Sequence, residues 1–480
     1  MNFQGVEPFN PKRVVWLFIT AIALFYMFIL ITQPSAFRHL MVAVPLAVTA
    51  LLFLRDIRLW LLGLPFLIAF SGSPMSLGEF YIEPVTIGIL LCGFVYLVYR
   101  ISSFRRIFDM PLPFKLVFLA YLAQLASVFA SIYLHDGYLW NTVREGHKIY
   151  IFAIILPVIY TWYGKGIWLE RFVKSMTLML LVMSIIGIYQ YNSGEIDNFG
   201  DRASGFDLAG RVYSTIKGGP NSYSGVLELL VPTILAAMFF FKSRIWKTTA
   251  FAAVILGMFN VLYTFSRGGF LTVTGSCFLY LVYRYRKQIW IPVITFTLFA
   301  GYVFSNADEF ERQLTVLRDN NAMMTDVSLL HRYTSYKGFV NEMSKNLLEG
   351  TGWGGREYFY GRTALYGFWE VRHEDSIDRQ ERFGGLNSLL LEMPLKGGFF
   401  SILSLLLFVS AVVIAMIAGF KSSINNSLGA GMALGLLGFG FHQLFDNLIP
   451  WPQTGALFWV VLSLVTAQGY ACCCSEEDSL

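Results

Sequence analysis

The chain has 480 residues, 56% of them hydrophobic and only 14% charged, with a mean hydropathy of +0.57, which excludes an ordinary water-soluble domain. Its net charge of +5 comes from Lys and Arg dispersed between apolar runs, so nothing points to nucleic acid as a partner. The five cysteines form no secreted disulfide framework, because Cys92 and Cys277 fall in apolar runs and Cys472, Cys473 and Cys474 are adjacent near the end.

The first apolar run follows Lys12 and Arg13 and is closed by no small-residue cleavage site, so it reads as a span and not as a cleavable leader. Further runs of about spanning length recur along the chain. They place spans near 14–31, 38–54, 57–71, 84–100, 113–134, 149–163, 172–192, 223–241, 247–265, 268–284, 289–305, 399–420, 428–445 and 453–470. The expected fold is all-α, a polytopic transmembrane helical bundle of about 12–14 spans with one helical insert. It divides into an N-terminal membrane domain (1–305), a large polar loop (306–387), C-terminal membrane helices (388–471) and a tail (472–480).

The polar loop cannot lie in lipid, where its backbone would lack hydrogen-bond partners. Eighteen Lys and Arg fall in one alternate set of short connections and seven in the other. Long loops do not count towards this bias, so the expected topology has both termini cytoplasmic and the loop outside. Outside means the periplasm if the membrane is a bacterial inner membrane. Within the loop, Val327, Leu330, Tyr333, Tyr336, Phe339, Val340, Met343 and Leu347 recur at helical steps. They predict an amphipathic helix over 326–348, stopped by Gly350, Gly352, Gly354 and Gly355. A second helical piece is expected over 363–382, with a turn at Gly384-Gly385.

On the outer side several polar residues stand out. Arg267, in the Ser266-Arg267-Gly268-Gly269 hairpin between two spans, can reach water or an anion, or can snorkel at the interface. Arg202 and Arg211 precede Lys217-Gly218-Gly219-Pro220-Asn221, which also suits a helix start. Glu228 lies two turns inside the next span, as a functional carboxylate or as a buried partner for an arginine. His331 and Arg332 lie on the polar side of the predicted amphipathic helix, where a solvated face is the bland alternative. Arg372-His373-Glu374-Asp375 has no zinc-like spacing and reads as a solvated helix face. His442 and Asp446, one turn apart, can pair at a helix end.

Arginines on one side of a membrane domain suit an anionic lipid-linked substrate, since guanidinium binds phosphate oxygens with paired donors. With charges of that kind to steady a departing diphosphate, no metal is required. No nucleotide-binding signature occurs, and no cofactor is expected.

These residues carry a resemblance to the O-antigen ligase and O-antigen polymerase superfamily of bacterial inner-membrane glycosyltransferases, over about 211–398. Arg211-Val-Tyr-Ser followed by Gly219-Pro220-Asn221 resembles the family's Arg-x-x-Gly…Pro-Asn stretch. Ser266-Arg267-Gly268 is similar to its Ser-Arg-Gly hairpin, and Arg332 with Gly350-Thr351-Gly352-Trp353-Gly354 to its Arg-rich helix and Gly-x-Gly turn. Leu386-Asn387-Ser388-Leu389, with Glu392 and Gly397, resembles its His-Asn-Ser segment and the Glu-x-Gly-x-x-Gly that follows.

The resemblance implies metal-free transfer of a glycan from undecaprenyl diphosphate to an acceptor hydroxyl, either a glycan or a lipid-linked chain, on the periplasmic side. It implies Arg267 and Arg332 as diphosphate ligands, joined by Arg211, Asn221 and Asn387 in substrate binding. Leu386 stands where the ligases carry their histidine, which favours polymerisation or an exopolysaccharide variant over ligation. Glu228, His331, Glu392 and His373 are the general-base candidates. Membrane lipids and a polysaccharide-assembly complex are the further partners expected. Two rival readings are a transporter or flippase for lipid-linked glycans and a non-catalytic scaffold of an export complex.

Overall fold

The computed structural model describes residues 61–70, 75–77, 80–82, 84–102, 110–135, 139–163, 166–193, 211–216, 218–306, 346–353, 388–422 and 427–471, with Tyr336, Phe339 and Met343. The spans expected over 14–31 and 38–54, the helical piece over 363–382 and the cysteine tail lie outside these residues.

The described residues form thirteen helices. They are α1 (Leu64–Phe70), α2 (Pro84–Ser102), α3 (Leu112–His135), α4 (Leu139–His147), α5 (Ile155–Tyr163), α6 (Gly166–Ser193) and α7 (Gly219–Phe240). After these come α8 (Arg244–Tyr263), α9 (Arg267–Arg284), α10 (Trp290–Ser305), α11 (Leu389–Ser422), α12 (Leu428–His442) and α13 (Pro452–Ala471). Five of them, α3, α6, α7, α8 and α11, are long and apolar enough to cross a membrane. The all-α expectation holds, and the chain is a multi-pass membrane protein.

Two local differences from the expected spans have simple causes. A short antiparallel hairpin, β1 (Met75–Leu77) with β2 (Phe80–Ile82), precedes α2, and three-residue strands are too brief to show a period of two. The expected span over 149–163 is regular only from Ile155, because Tyr150, Ala153 and Ile155 donate to carbonyls three residues back.

Helix α7 is the centre of the bundle. Its residues from Ser222 to Ala237 are all buried, and α8, α9, α12 and α13 pack around it. Helix α12 approaches α7 closely because it presents glycine at the contacts. A Cβ on Gly431 would sit 2.6 Å from the Pro232 carbonyl oxygen, and one on Gly435 would sit 3.1 Å from that of Glu228. Towards α9, Gly438 leaves room for Thr272 and Ser276, and Ser276 Oγ donates to the Leu434 carbonyl at 2.9 Å. Helix α10 lies at the periphery on α9 with Val293, Ile294 and Leu298 exposed, as expected of a surface that meets lipid.

Helix α11 begins earlier than the expected span, at Leu389, and is broken at Gly398 (φ 57°, ψ −146°). A break in an apolar helix strands backbone groups that lipid cannot satisfy, and here the chain itself supplies the partners. Thr351 N donates to Leu395 O at 2.8 Å, Gly352 N to Lys396 O at 2.9 Å, and Phe399 N to Leu348 O at 3.0 Å. Ser127 Oγ of α3 takes the Gly397 carbonyl at 3.0 Å. The strap 348–353 is thereby laid into the break. Trp353 anchors its end, with N on Ser131 Oγ at 2.6 Å and Nε1 on Ser127 Oγ at 3.0 Å. The predicted amphipathic helix is seen in part: Tyr336, Phe339, Met343 and Asn346 are helical and half-buried, and Gly350 (φ 71°) follows the last turn.

Candidate functional site

One end of the bundle collects the C-termini of α6, α8 and α12 and the N-termini of α7 and α9. Tyr191 stacks on Tyr263 there (centroids 3.8 Å apart), so α6 and α8 end together. The segment before α7 is pinned across these ends. Val212 N donates to Tyr263 O at 3.0 Å, and the backbone of Ser214 exchanges two 2.8 Å hydrogen bonds with the Gln190 side chain. Arg211 is held in consequence, its Nε on the Thr264 carbonyl and one terminal nitrogen on Asn221 Oδ1, both at 3.0 Å. Gly218 and Gly219 turn the chain with φ of 96° and 80°, and Pro220 opens α7, as its sequence suggested.

From Asn221 a hydrogen-bonded chain runs inward. Asn221 Nδ2 donates to Asp446 Oδ2 at 3.2 Å, and the same oxygen lies 3.1 Å from His442 Nε2. His442 Nδ1 meets Glu228 Oε1 on the other side of the ring. Glu228 is fully buried, His442 1% exposed and the Asp446 side chain 13% exposed, so burial deepens along the chain. A buried carboxylate in a membrane helix requires such a partner. The partner of Glu228 is therefore His442, and Asn221 and Asp446 join Arg211 to the pair.

The start of α9 closes over this group. Ser266 caps it by accepting from Gly269 N at 3.3 Å. A Cβ on Gly268 would stand 2.7 Å from His442 Nε2, and one on Gly269 would stand 2.6 Å from Ser224 Oγ. The two glycines behind Arg267 are there because the imidazole and Ser224 occupy the space that side chains would fill. Arg267, the first residue of α9, is half-buried beside them.

Glu392 of α11 is tied on both oxygens, Oε1 by Lys396 Nζ and Oε2 by Asn447 Nδ2, next to Asp446 in the chain. Ser388 Oγ donates to the Gln443 carbonyl at 3.1 Å, and the Tyr336 hydroxyl to that of Leu444, so α11 and the long polar segment both reach the end of α12.

Of the residues proposed from sequence, Arg211, Asn221, Glu228 and Arg267 gather at this end, and Glu392 reaches it through Asn447. His331, Arg332 and Asn387 lie outside the described residues, as do Arg202, Leu386 and the stretch 372–375. Sequence reasoning had the His442–Asp446 pair as a helix-end hydrogen bond but missed its link to Glu228, 214 residues away. The available signal was that each is a titratable residue inside or at the end of an apolar run.

Ionised carboxylates only accept hydrogen bonds, so the two bonds along Glu228–His442–Asp446 need two protons shared among three groups. Whether the second proton sits on the imidazole or on Glu228, the trio carries a net charge of −1 and can take up one proton more. The chain matches no known protein-family model, and no curated protein sequence is significantly similar to it.

Proposed function

We propose that this protein is a periplasmic-side glycosyltransferase that polymerises or transfers undecaprenyl-diphosphate-linked oligosaccharide to an acceptor hydroxyl, in O-antigen or exopolysaccharide synthesis. It works in the bacterial inner membrane with both termini in the cytoplasm. The observation that carries this reading is the meeting, at one end of the bundle, of stretches far apart in sequence. Arg211 reaches Asn221, the Ser266-Arg267-Gly268 turn lies on His442, and the Gly350-Thr351-Gly352 strap fills the break before Phe399. In this reading Arg211 and Arg267, with Arg332, hold the diphosphate and stabilise its charge as it leaves. Leu386 in place of the ligase histidine favours polymerisation. The test is glycan lengthening by purified protein supplied with undecaprenyl-diphosphate oligosaccharide. Full activity in both Arg267→Ala and Arg332→Ala refutes the assignment.

A second reading, transport of the same lipid-linked glycans, is favoured by the broken helix at Gly398, since transporters build sites at helix breaks. It carries less weight because the strap 348–353 already takes the carbonyls of Leu395 and Lys396. Glycan translocation in proteoliposomes without bond formation would establish it instead.

A further inference from the structure

The glycosyl transfer proposed above needs a group that takes the acceptor's proton, and the Glu228–His442–Asp446 chain has the form of one. We propose that Asp446 accepts the proton of the acceptor hydroxyl, with His442 and Glu228 as positioning residues behind it. The inference rests on the transfer reading and adds to it the identity of the base.

Three observations carry it. First, among the three groups only Asp446 has appreciable side-chain exposure, 13% against 1% for His442 and none for Glu228, so a hydroxyl arriving from outside meets Asp446. Second, the proton count leaves the trio one proton short of neutrality, and the hydrogen bonds from Asn221 and His442 both fall on Oδ2 of Asp446. A carboxylate oriented by two donors on one oxygen presents a fixed geometry to a reactant. Third, Asn221 is a single-residue bridge: its Oδ1 accepts from Arg211 and its Nδ2 donates to Asp446. A guanidinium suited to the departing diphosphate and a carboxylate suited to the incoming hydroxyl are thus spaced by one amide group.

Among the described residues the alternatives are less well placed. Glu228 is fully buried behind the imidazole, and the charge of Glu392 is paired with Lys396. The charged groups around Asp446 are His442 on its own element, Glu228 of α7 and Arg211 from the segment before α7. Among the described residues, Arg267 at the start of α9 and the Glu392–Lys396 pair of α11, next to Asn447, are the others. The ring of His442 is held from both sides, by Glu228 at Nδ1 and Asp446 at Nε2.

In the step itself the acceptor O–H bond breaks and its proton passes to the Asp446 carboxylate. The electron pair left on that oxygen forms the new bond to the anomeric carbon. The bond from that carbon to the diphosphate oxygen breaks, and its pair leaves with the diphosphate beside the guanidinium groups. Asp446 then loses its proton to water and the trio returns to −1.

The test uses the full chain in nanodiscs, with the undecaprenyl-diphosphate oligosaccharide pool extracted from cells lacking the protein as donor. Glycan length is read by mass spectrometry. Asp446→Asn is expected to lower kcat by about a hundredfold or more, in the range of a lost general base, while the donor KM stays within about threefold. Asp446→Glu, which restores a carboxylate, is expected to recover at least about a tenth of the lost rate. Should the amide variant fail to fold, His442→Gln leaves Asp446 in place and decides the matter: a kcat lowered about tenfold at unchanged donor KM is expected, and an unchanged kcat overturns the proposal. An Asp446→Asn protein with at least half the wild-type kcat, or with its loss confined to donor KM, also overturns it while the transfer reading stands. A wild type that forms no glycosidic bond overturns both.

Discussion

Gly398→Ala tests the way the break in α11 holds the long polar segment against the membrane domain. The backbone at Gly398 has φ 57° and ψ −146°, a region open to glycine and closed to other residues. Alanine there costs about 1–3 kcal/mol from the dihedral angles alone. Its Cβ would press on the Leu348 carbonyl oxygen and stand 2.7 Å from both Glu349 C and Gly350 N. These are backbone atoms that cannot rotate away, so the strap must lift and the Phe399 N to Leu348 O bond is lost. An N–H left without a partner at a position facing lipid adds about 1–3 kcal/mol. The sum, on the order of 2–6 kcal/mol, corresponds to a fall in Tm of roughly 4–24 °C at about 2–4 °C per kcal/mol. The assay is thermal unfolding in detergent, with limited proteolysis of the strap read alongside. Gly275→Ala in α9 is the control: a Cβ there meets nothing within 4 Å, so it should be neutral or stabilising by up to about 1 kcal/mol. A Gly398→Ala protein that melts within about 1 °C of wild type and resists proteolysis equally would refute the reasoning.

Three further outcomes follow from the same contacts. Gly268→Ala places a methyl 2.7 Å from a ring held on both sides by carboxylates, so it should cost about 1–3 kcal/mol of stability and depress glycan transfer, both measurable on one preparation. Arg211→Lys keeps the charge but cannot reach the Thr264 carbonyl and Asn221 together, as the guanidinium does at 3.0 Å each; a loss of about 1–3 kcal/mol in thermal or denaturant unfolding is expected, and an unchanged midpoint argues against the bridge. In a chain cleared of its five cysteines, Ser193→Cys at the site end of α6 should react with a membrane-impermeant maleimide in intact spheroplasts, while Ser243→Cys between α7 and α8 should react only after lysis; the reverse pattern would invert the proposed topology.

How much of this was legible beforehand depends on the range of each interaction. Helix α3 was expected at 113–134 and runs Leu112–His135, and α13 was expected at 453–470 and runs Pro452–Ala471. A span is a local property, an apolar run of sufficient length, and it is read off directly. The early start of α11 and its break were not legible, because the break is satisfied only when Thr351 and Gly352, over 40 residues earlier, arrive to take the carbonyls of Leu395 and Lys396. The glycines behind Arg267 have no partner visible in the local sequence. What approaches closely is His442 and Ser224. Glu228 was seen as a carboxylate needing a partner and His442 as a histidine near Asp446, but nothing local joins residues 214 positions apart. In a chain that folds in lipid, each buried polar group must be matched by another part of the protein. Some, such as Thr177, Thr233 and Thr466, bond a carbonyl of their own helix, whereas Glu228 and His442 need each other. Which of them meet is decided by helix packing, here by the glycines of α12 that bring His442 between α7 and α9, and that information is distributed over the whole bundle.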